Sequence, residues 1–234
     1  YRRLRERDER AATLERAEAT STAILRAVSH DLRTPLATMR TAVDGLVSGT
    51  LDPADQKELV GAVEDSTEQL ERLIDNLLDL SRIQSGLLHP VLRDRSLEEI
   101  LPLAVTGHTP GTVVLELDET APLVHTDAGL LERVVANLVA NAVRASRGET
   151  VRVLAHVLPE SVEVLVVDRG PGVDPALRER MFDPFQRLDD TSPGGLGLGL
   201  AVARGLTEAM GGVLTAEDTP GGGLTMVLSI PRSM

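Results

Sequence analysis

The sequence contains no cysteine and no tryptophan, and only one tyrosine and two phenylalanines among its 234 residues. Without cysteine the chain can form no disulfide, no thiolate nucleophile and no cysteine-ligated metal site. Aromatic residues make up 1% of the chain whereas 42% is hydrophobic, so its cores must be built from Leu, Val, Ala and Ile. The length allows two modest domains, each with a core of its own.

Positive charge is also scarce, since 24 Lys and Arg stand against 36 Asp and Glu, a net charge of −12. Nucleic acid is therefore not an expected partner, because phosphate backbones are bound by clustered Lys and Arg. Any phosphate that the protein binds must be held by local hydrogen-bond donors and a metal ion.

No stretch of about 18 apolar residues is present, so we expect no segment of this sequence to span a bilayer, and no signal peptide is visible. Residues 1–7 read YRRLRER, and basic residues there would suit the cytoplasmic flank of a membrane helix that this sequence lacks. The chain would then be the cytoplasmic portion of an inner-membrane protein, with residues 1–20 as a signalling helix or linker. The alternative, to which we give equal weight, is that the start of the sequence at residue 1 has no functional meaning.

Two helices are predicted next, from about Glu9 to Val47 and from Pro53 to about Gly86, separated by a helix stop at Gly49 and a cap at Asp52. The first carries one apolar stripe at steps of three and four: Leu25, Val28, Leu32, Leu36, Met39, Val43 and Leu46. The second carries a heptad seam: Leu59, Val63, Ser66, Leu70, Leu73, Leu77 and Leu80.

Two helices joined by a short turn pack antiparallel, so residues 21–86 are predicted to form one hairpin domain. A hairpin by itself cannot bury both stripes. We therefore expect two copies to dimerise as a four-helix bundle; packing of the stripes against the rest of the same chain is the alternative.

His30 points roughly 160° away from the centre of the apolar stripe, on the exposed face of the first helix. Asp31 follows it directly and can orient the imidazole ring and accept a proton, and Thr34 lies one turn along on the same face. Pro35 predicts a bend just after the histidine. On these residues alone, an ordinary surface histidine is the more frequent explanation.

After residue 86 the pattern changes to short β-branched runs alternating with helices, which predicts an α/β sandwich over residues 87–234, its sheet covered by helices on one face. The predicted strands are residues 112–117, 151–158, 162–167, 213–216 and 224–230, and the predicted helices are residues 127–146 and 198–210.

Two segments of this second domain offer groups that suit a nucleotide. Asn137 and Asn141 share a helix face with Arg144 on the next turn, which provides amide oxygens for Mg²⁺ and a guanidinium for phosphate. Asp168 ends a hydrophobic strand and could accept a hydrogen bond from an exocyclic amine, with glycines behind it that allow close approach of a planar ring. The alternative for the two asparagines is that they are ordinary solvated side chains. The alternative for the segment at Asp168 is a simple β-turn.

A third segment, GGLGLG at residues 194–199, places glycines immediately before a helix and predicts a phosphate cradle. It is not a P-loop, because the only lysine of the chain is Lys57, and its glycine spacing does not fit a Rossmann fingerprint. Residues 182–185 hold two of the three aromatic side chains, which suggests anchors for a mobile segment, and residues 188–194 read as a flexible lid.

Taken in order, these segments resemble the transmitter region of sensor histidine kinases of two-component signalling, from about Ala11 to Pro231. The sequence SHDLRTPL at 29–36 is similar to the phosphoacceptor H-box, and the later motifs follow in family order: residues 137–141 resemble the N-box, 168–172 the G1 box, 182–185 the F-box, 195–199 the G2 box and 221–225 the last glycine-rich element. The resemblance implies a dimeric α-hairpin bundle followed by an ATP-binding domain of the GHKL, or Bergerat, type.

The resemblance also implies roles for individual residues. His30 would take the γ-phosphoryl group of ATP, Asp31 would act as its base, and Thr34 would position water for dephosphorylating the partner regulator. Asn141 would bind Mg²⁺ and Asp168 the adenine amine. The other cofactor-binding residues implied are Asn137, Arg144, Gly170, Gly172, Arg187, Gly195, Gly197, Gly199 and Thr225.

The chain departs from the family pattern in two places: its lid is short, and Ala145 stands where an aromatic or histidine residue would be expected. The resemblance therefore does not determine how tightly the chain binds a nucleotide. The function implied is ATP-dependent autophosphorylation of His30 and transfer of the phosphoryl group to an aspartate of a response regulator receiver domain, with phosphatase activity toward that regulator.

Two alternatives remain at this point. One is an ATPase of the gyrase, Hsp90 and mismatch-repair type, in which an acid stands where this chain has Asn137. The other is a dimeric scaffold with a degenerate nucleotide pocket. The stimulus, the identity of the regulator and the choice between cis and trans phosphorylation stay open.

Overall fold

A computed structural model describes residues 28–49, 51–117, 123–186 and 196–233. The chain divides into two compact units, the first ending at Asp75 and also including Leu196, and the second beginning at Asn76. The predicted linker over residues 1–20, the predicted lid and the site residues Arg187 and Gly195 lie outside the described residues. Among the helices that are described, none has the length and apolar character needed to cross a membrane.

The first unit is built on an α-hairpin. Helix α1 covers residues 28–47 of the described chain, and helix α2 covers Pro53–Gln84. Gly49 lies between them with a φ of 70°, which favours glycine. The Asp52 carboxylate accepts hydrogen bonds from the backbone N–H groups of Ala54 and Asp55 at 2.8 and 2.9 Å. The predicted helix stop, cap and start are therefore confirmed.

The predicted heptad seam is the least exposed face of α2, with Ser66 and Leu73 buried. The two helices approach closely near the turn, because a Cβ at Gly45 would lie 2.9 Å from Leu59 Cδ1. Farther along, the hydroxyl of Thr67 lies 3.5 Å from Met39 Sδ.

The stripe of α1 is covered on one side only. Pro35 and Ala42 are buried, whereas Leu36 and Val43, which were predicted to be part of the stripe, are 53% and 46% exposed. The prediction placed the covered face about one residue too far along the helix. Leu36 and Val43, which are seven positions apart, form an apolar flank that is uncovered in a single chain.

The second unit contains a five-stranded sheet in the order β2-β4-β5-β7-β6, antiparallel except between β2 and β4. Its strands are β2 (Val113–Glu116), β4 (Val151–Val157), β5 (Ser161–Val167), β6 (Val213–Asp218) and β7 (Leu224–Pro231). The helices α4 (Ala128–Ser146) and α5 (Gly199–Ala209) pack on it, α4 against β4 and β5 and α5 against β6. Alternate valines of β5 are fully buried, as the period of two requires.

Two short strands and one short α-helix of the second unit were not predicted. The strands β1 (Arg93–Ser96) and β3 (Leu123–Thr126) form a separate antiparallel pair, and α3 (Leu97–Ala104) follows β1 directly. Four-residue strands such as RDRS carry too few apolar positions for a period to be visible. Helix α3 contains Pro102, a residue that ordinarily argues against a helix interior.

The last turns of α2 belong to the second unit. The carboxylate of Asp79 is 1% exposed and lies 2.6 Å from Nη2 of Arg133 on α4, with Nη1 of Arg82 at 3.9 Å. Ile83 packs directly on α5 at Gly205. The contact is so close that a Cβ at Gly205 would lie 2.8 Å from Ile83 Cδ1. The ion pair and this packing anchor the end of α2 to α4 and α5.

Replacing Arg133 with methionine should destabilise the second unit by about 3 kcal/mol, because it leaves the Asp79 carboxylate buried without its nearest cation. Urea unfolding followed by circular dichroism measures the loss. Arg152→Met is the matched control: Arg152 pairs with Glu116 at the surface, and exposed pairs contribute only about 0–1 kcal/mol. Equal losses in the two variants would contradict the importance of the buried pair.

Candidate functional site

His30 is presented to solvent on α1, with 76% of its side chain exposed, whereas that of Asp31 is only 15% exposed. Nδ1 of the ring lies 2.9 Å from Oδ1 of Asp31. This hydrogen bond orients the imidazole and leaves Nε2 as the ring nitrogen available to an electrophile. The predicted outward orientation of His30 and the lateral reach of Asp31 are both observed.

Thr34 lies one turn after the histidine, and its hydroxyl donates a 3.4 Å hydrogen bond to the carbonyl oxygen of His30. Its side chain is exposed on the same face. The helix continues through Pro35, so the bend expected there stays a prediction.

The centre of the nucleotide candidate is Asp168, directly after β5. Its side chain is 2% exposed, and Oδ1 accepts hydrogen bonds from the N–H groups of Gly170 at 2.8 Å and Leu224 at 2.9 Å. Both bonds go to Oδ1, so Oδ2 has no hydrogen-bond partner among the described residues. A buried carboxylate with one open oxygen is suited to accept a hydrogen bond from a ligand amine.

The loop after Asp168 packs tightly on the end of α4. A Cβ at Gly170 would lie 2.8 Å from the carbonyl oxygen of Ala145, so only glycine fits there without movement. The neighbouring Ser146 is buried and accepts a 3.4 Å hydrogen bond from the N–H of Arg169. Ala145, the departure from the family pattern, therefore contacts the loop that carries the carboxylate.

The last glycine-rich element closes over the same loop. Gly223 has a φ of 110°, and a Cβ there would collide with the carbonyl oxygen of Asp168. A Cβ at Gly172, with a φ of 73°, would lie 3.3 Å from the carbonyl oxygen of Gly223. Thr225 is buried and its hydroxyl lies 2.9 Å from that of Thr219. Gly172 and Gly223 are thus brought together beside Asp168, and Thr225 pairs with Val167, the residue that precedes Asp168.

The two asparagines of α4 lie one turn apart, with Asn141 half-buried and Arg144 exposed on the following turn. Nδ2 of Asn137 donates a 3.3 Å hydrogen bond to Oδ1 of Asn76 on α2. On its other side, Oδ1 of Asn137 lies 3.5 Å from the place of a Cβ on Gly199. The structure therefore places Asn137 beside the start of α5.

The described end of the glycine run has no space for side chains. Gly197 has a φ of 66°, and a Cβ there would lie 2.5 Å from the carbonyl oxygen of Gln186. Its own carbonyl accepts a 3.2 Å hydrogen bond from the N–H of Phe185. Helix α5 begins at Gly199 without a side-chain cap, so its first N–H groups can bind an anion.

Phe182 packs in the interior shortly before the glycine run; the mobile segment that it was predicted to anchor lies outside the described residues. It is buried, and the Arg204 guanidinium lies 4.9 Å from its ring centroid, a cation–π distance. The hydrogen bond that Arg204 donates to Glu179 raises its pKa, and the one that it donates to Glu208 does so to a lesser extent. Sequence reasoning missed Arg204, because a single arginine on an amphipathic helix gives no signal of a partner in another segment.

The geometry fits ATP and, through its phosphates, Mg²⁺. Asp168 offers a carboxylate oxygen that has no hydrogen-bond partner among the described residues, and α5 presents an N-terminus without a side-chain cap. No cluster of three or more His, Cys, Asp or Glu side chains suited to a metal occurs in the described part of the chain. A magnesium ion would therefore rely on phosphate oxygens and the amide oxygens of Asn137 and Asn141.

Comparison with known proteins agrees with this geometry. Residues 20–86 match the family His Kinase A (phospho-acceptor) domain, and residues 126–234 match the family of histidine kinase-, DNA gyrase B- and HSP90-like ATPases. Sensor protein KdpD of Mycobacterium tuberculosis is 43% identical over 98% of the chain, and KdpD of Escherichia coli is 34% identical over 96%.

The chain belongs to the two-component sensor histidine kinases. It spans 28% and 26% of the length of these two relatives, and 59% of the sensor-like histidine kinase SenX3 of Mycolicibacterium smegmatis, which is 32% identical over 93% of the chain. The chain therefore corresponds to the transmitter region of this family.

Solved structures of sensor kinases share the fold. Full-length ShkA, in complex with AMPPNP, superposes with a TM-score of 0.63 at 25% identity over 89% of this chain and 46% of that protein. The histidine kinase AdeS of Acinetobacter baumannii gives a TM-score of 0.61 at 24% identity over 88% of this chain and 98% of its own. The predicted architecture, a helical phosphoacceptor region followed by a GHKL-type α/β domain, is confirmed.

Replacing Gly223 with alanine should destabilise the ATP-binding domain by more than about 3 kcal/mol, because a strained φ is combined with a collision against the backbone at Asp168. Thermal unfolding and nucleotide titration measure the effect, and we expect binding to be lost as well. Gly222→Ala is the matched control, since its φ of 108° is similar but its Cβ would have open space around it. Its cost should be only about 1–2 kcal/mol.

Proposed function

We propose that this chain is an ATP-dependent protein-histidine kinase that phosphorylates His30. The observation that carries the proposal is the exposed imidazole with Nδ1 held by Asp31. It is supported by the second unit, where the buried Asp168 carboxylate uses only one of its oxygens for hydrogen bonds among the described residues. The family to which the chain belongs supports the same activity.

The reaction at His30 follows from its hydrogen bond. The lone pair of Nε2 attacks the γ-phosphorus of ATP, the bond between that phosphorus and the β,γ-bridging oxygen breaks, and ADP leaves with the bond's electrons. The imidazole becomes positively charged as the new bond forms, and Asp31 stabilises the charge and accepts the Nδ1 proton.

On the nucleotide side, Oδ2 of Asp168 accepts the hydrogen bond of the adenine amine, while Gly170 and Gly172 let the loop after Asp168 pack closely on the backbone of Ala145 and Gly223. The N-terminus of α5 and Arg144 bind the phosphates. Asn141 is proposed to hold Mg²⁺. When bound, the ion neutralises charge that develops on the transferring phosphoryl group.

The phosphoryl group is proposed to pass from His30 to an aspartate of a response regulator receiver domain. Thr34, exposed one turn from His30, is proposed to position water when the same region dephosphorylates that regulator. The ATPase alternative has no support here, because an amide, Asn137, occupies the place of the activating acid. The predicted link to an inner membrane, through a segment that this sequence lacks, stays a prediction.

Substitution of His30 by glutamine should abolish acid-labile labelling from γ-labelled ATP while binding of the nucleotide survives, because the acceptor nitrogen is removed and the second unit is untouched. His156→Gln, which changes another exposed histidine, should label like the wild type. Persistent acid-labile labelling of the His30 variant would overturn the assignment of the phosphoacceptor.

We further propose that the protein is a homodimer through its α-hairpin. Leu36 and Val43 on α1, and Val60 and Ile74 on α2, are each roughly half exposed in one chain. Their separations are seven and fourteen residues, so each pair lies on one heptad face. A second hairpin would cover both faces and complete a four-helix bundle.

Introducing a charge in this face, as in Val43→Glu, should shift the protein from dimer to monomer at micromolar concentration, because the carboxylate would be buried in the apolar contact. Sedimentation velocity gives the mass. Thr41→Glu, at an exposed polar position of the same helix, serves as the control and should remain dimeric. A dimeric Val43 variant would place the contact elsewhere.

A further inference from the structure

We propose that Asn76, in the last part of α2, is a positioning residue of the ATP site and sets which end of the Asn137 amide faces the nucleotide. The inference rests on the proposed ATP binding and extends it to a residue outside the glycine and asparagine motifs. Its basis is the 3.3 Å hydrogen bond in which Nδ2 of Asn137 donates to Oδ1 of Asn76.

An asparagine side chain has a donor end and an acceptor end of nearly equal shape, and its surroundings choose between the two orientations. Because Nδ2 of Asn137 is engaged by Asn76, Oδ1 is the end that lies beside Gly199, where α5 begins. An oxygen at this place favours a phosphate that carries Mg²⁺, since amide oxygens bind Mg²⁺ but repel bare phosphate oxygens.

Asn76 can act in this way because its helix is anchored. Three residues farther along, the buried Asp79 forms its ion pair with Arg133, which lies one turn before Asn137 on α4. Four residues beyond that, Ile83 packs over Gly205 of α5. Three contacts along one side of α2 therefore place Asn76 against the asparagine of the nucleotide site, 61 residues later in the chain.

The test compares the affinity of the full chain for AMPPNP in the presence of Mg²⁺ and in EDTA, by isothermal titration calorimetry. We expect Asn76→Ala to weaken binding in Mg²⁺ about threefold to tenfold, which corresponds to the loss of one hydrogen bond. Binding in EDTA should stay the same or tighten, because the freed amide can turn Nδ2 toward the phosphates. The preference for the Mg²⁺ form should therefore fall.

Two further variants separate orientation from stability. Asn76→Asp keeps an acceptor for Nδ2 of Asn137, so its preference for the Mg²⁺ form should equal or exceed that of the wild type. Ile83→Val loosens the packing of α2 on α5 without touching the amide, so it should change both affinities together and leave the preference intact.

An Asn76→Ala variant that retains the wild-type preference, or that loses affinity equally in Mg²⁺ and EDTA, would overturn the inference while leaving the proposed function standing. A wild-type chain that binds AMPPNP under neither condition would overturn both. The readout is an equilibrium preference, which a purely structural role of Asn76 does not alter.

Discussion

The nucleotide domain depends on the buried carboxylate of Asp168. One of its oxygens accepts two backbone N–H groups, from Gly170 in its own loop and from Leu224 at the start of β7. These bonds join two chain segments that are far apart in sequence, and a buried acceptor left without them would cost free energy. The second oxygen has no hydrogen-bond partner among the described residues, so the bonds that hold the loop leave it for the proposed contact with the nucleotide.

The loop that carries this carboxylate can pack as it does only because glycines lie at its closest contacts. Gly170 lies against α4, and Gly223 lies against the backbone at Asp168, in each case too closely for a Cβ. Gly197 has the same relation to Gln186. In a chain with a net charge of −12, phosphate cannot rely on a general positive field, so backbone N–H groups must come close to it. Close backbone approach is therefore a requirement of both the fold and the proposed chemistry.

The two ends of α2 serve different purposes. Toward its start, the seam packs against α1 and a second apolar face, with Val60 and Ile74, stays exposed in a single chain. Toward its end, Asp79 and Ile83 contact α4 and α5, which makes the last turns part of the ATP-binding unit. The domain boundary predicted at residue 86 stays a prediction. The contacts of Asn76, Asp79 and Ile83 show that α2 belongs to the second unit from Asn76 onward.

Local patterns in the sequence were sufficient for the long helices, the outward His30, the cap at Asp52 and the main strands, because periodicity and capping depend on neighbours in the chain. The motif order was sufficient for the family. Tertiary structure alone decided that Asn76 meets Asn137, that Arg133 pairs with Asp79 and that Arg204 stacks on Phe182. The pairing of the small strands β1 and β3 was likewise visible only in the tertiary structure. Such pairings join residues that are distant along the chain, and their geometry exists only once the helices and the sheet have packed.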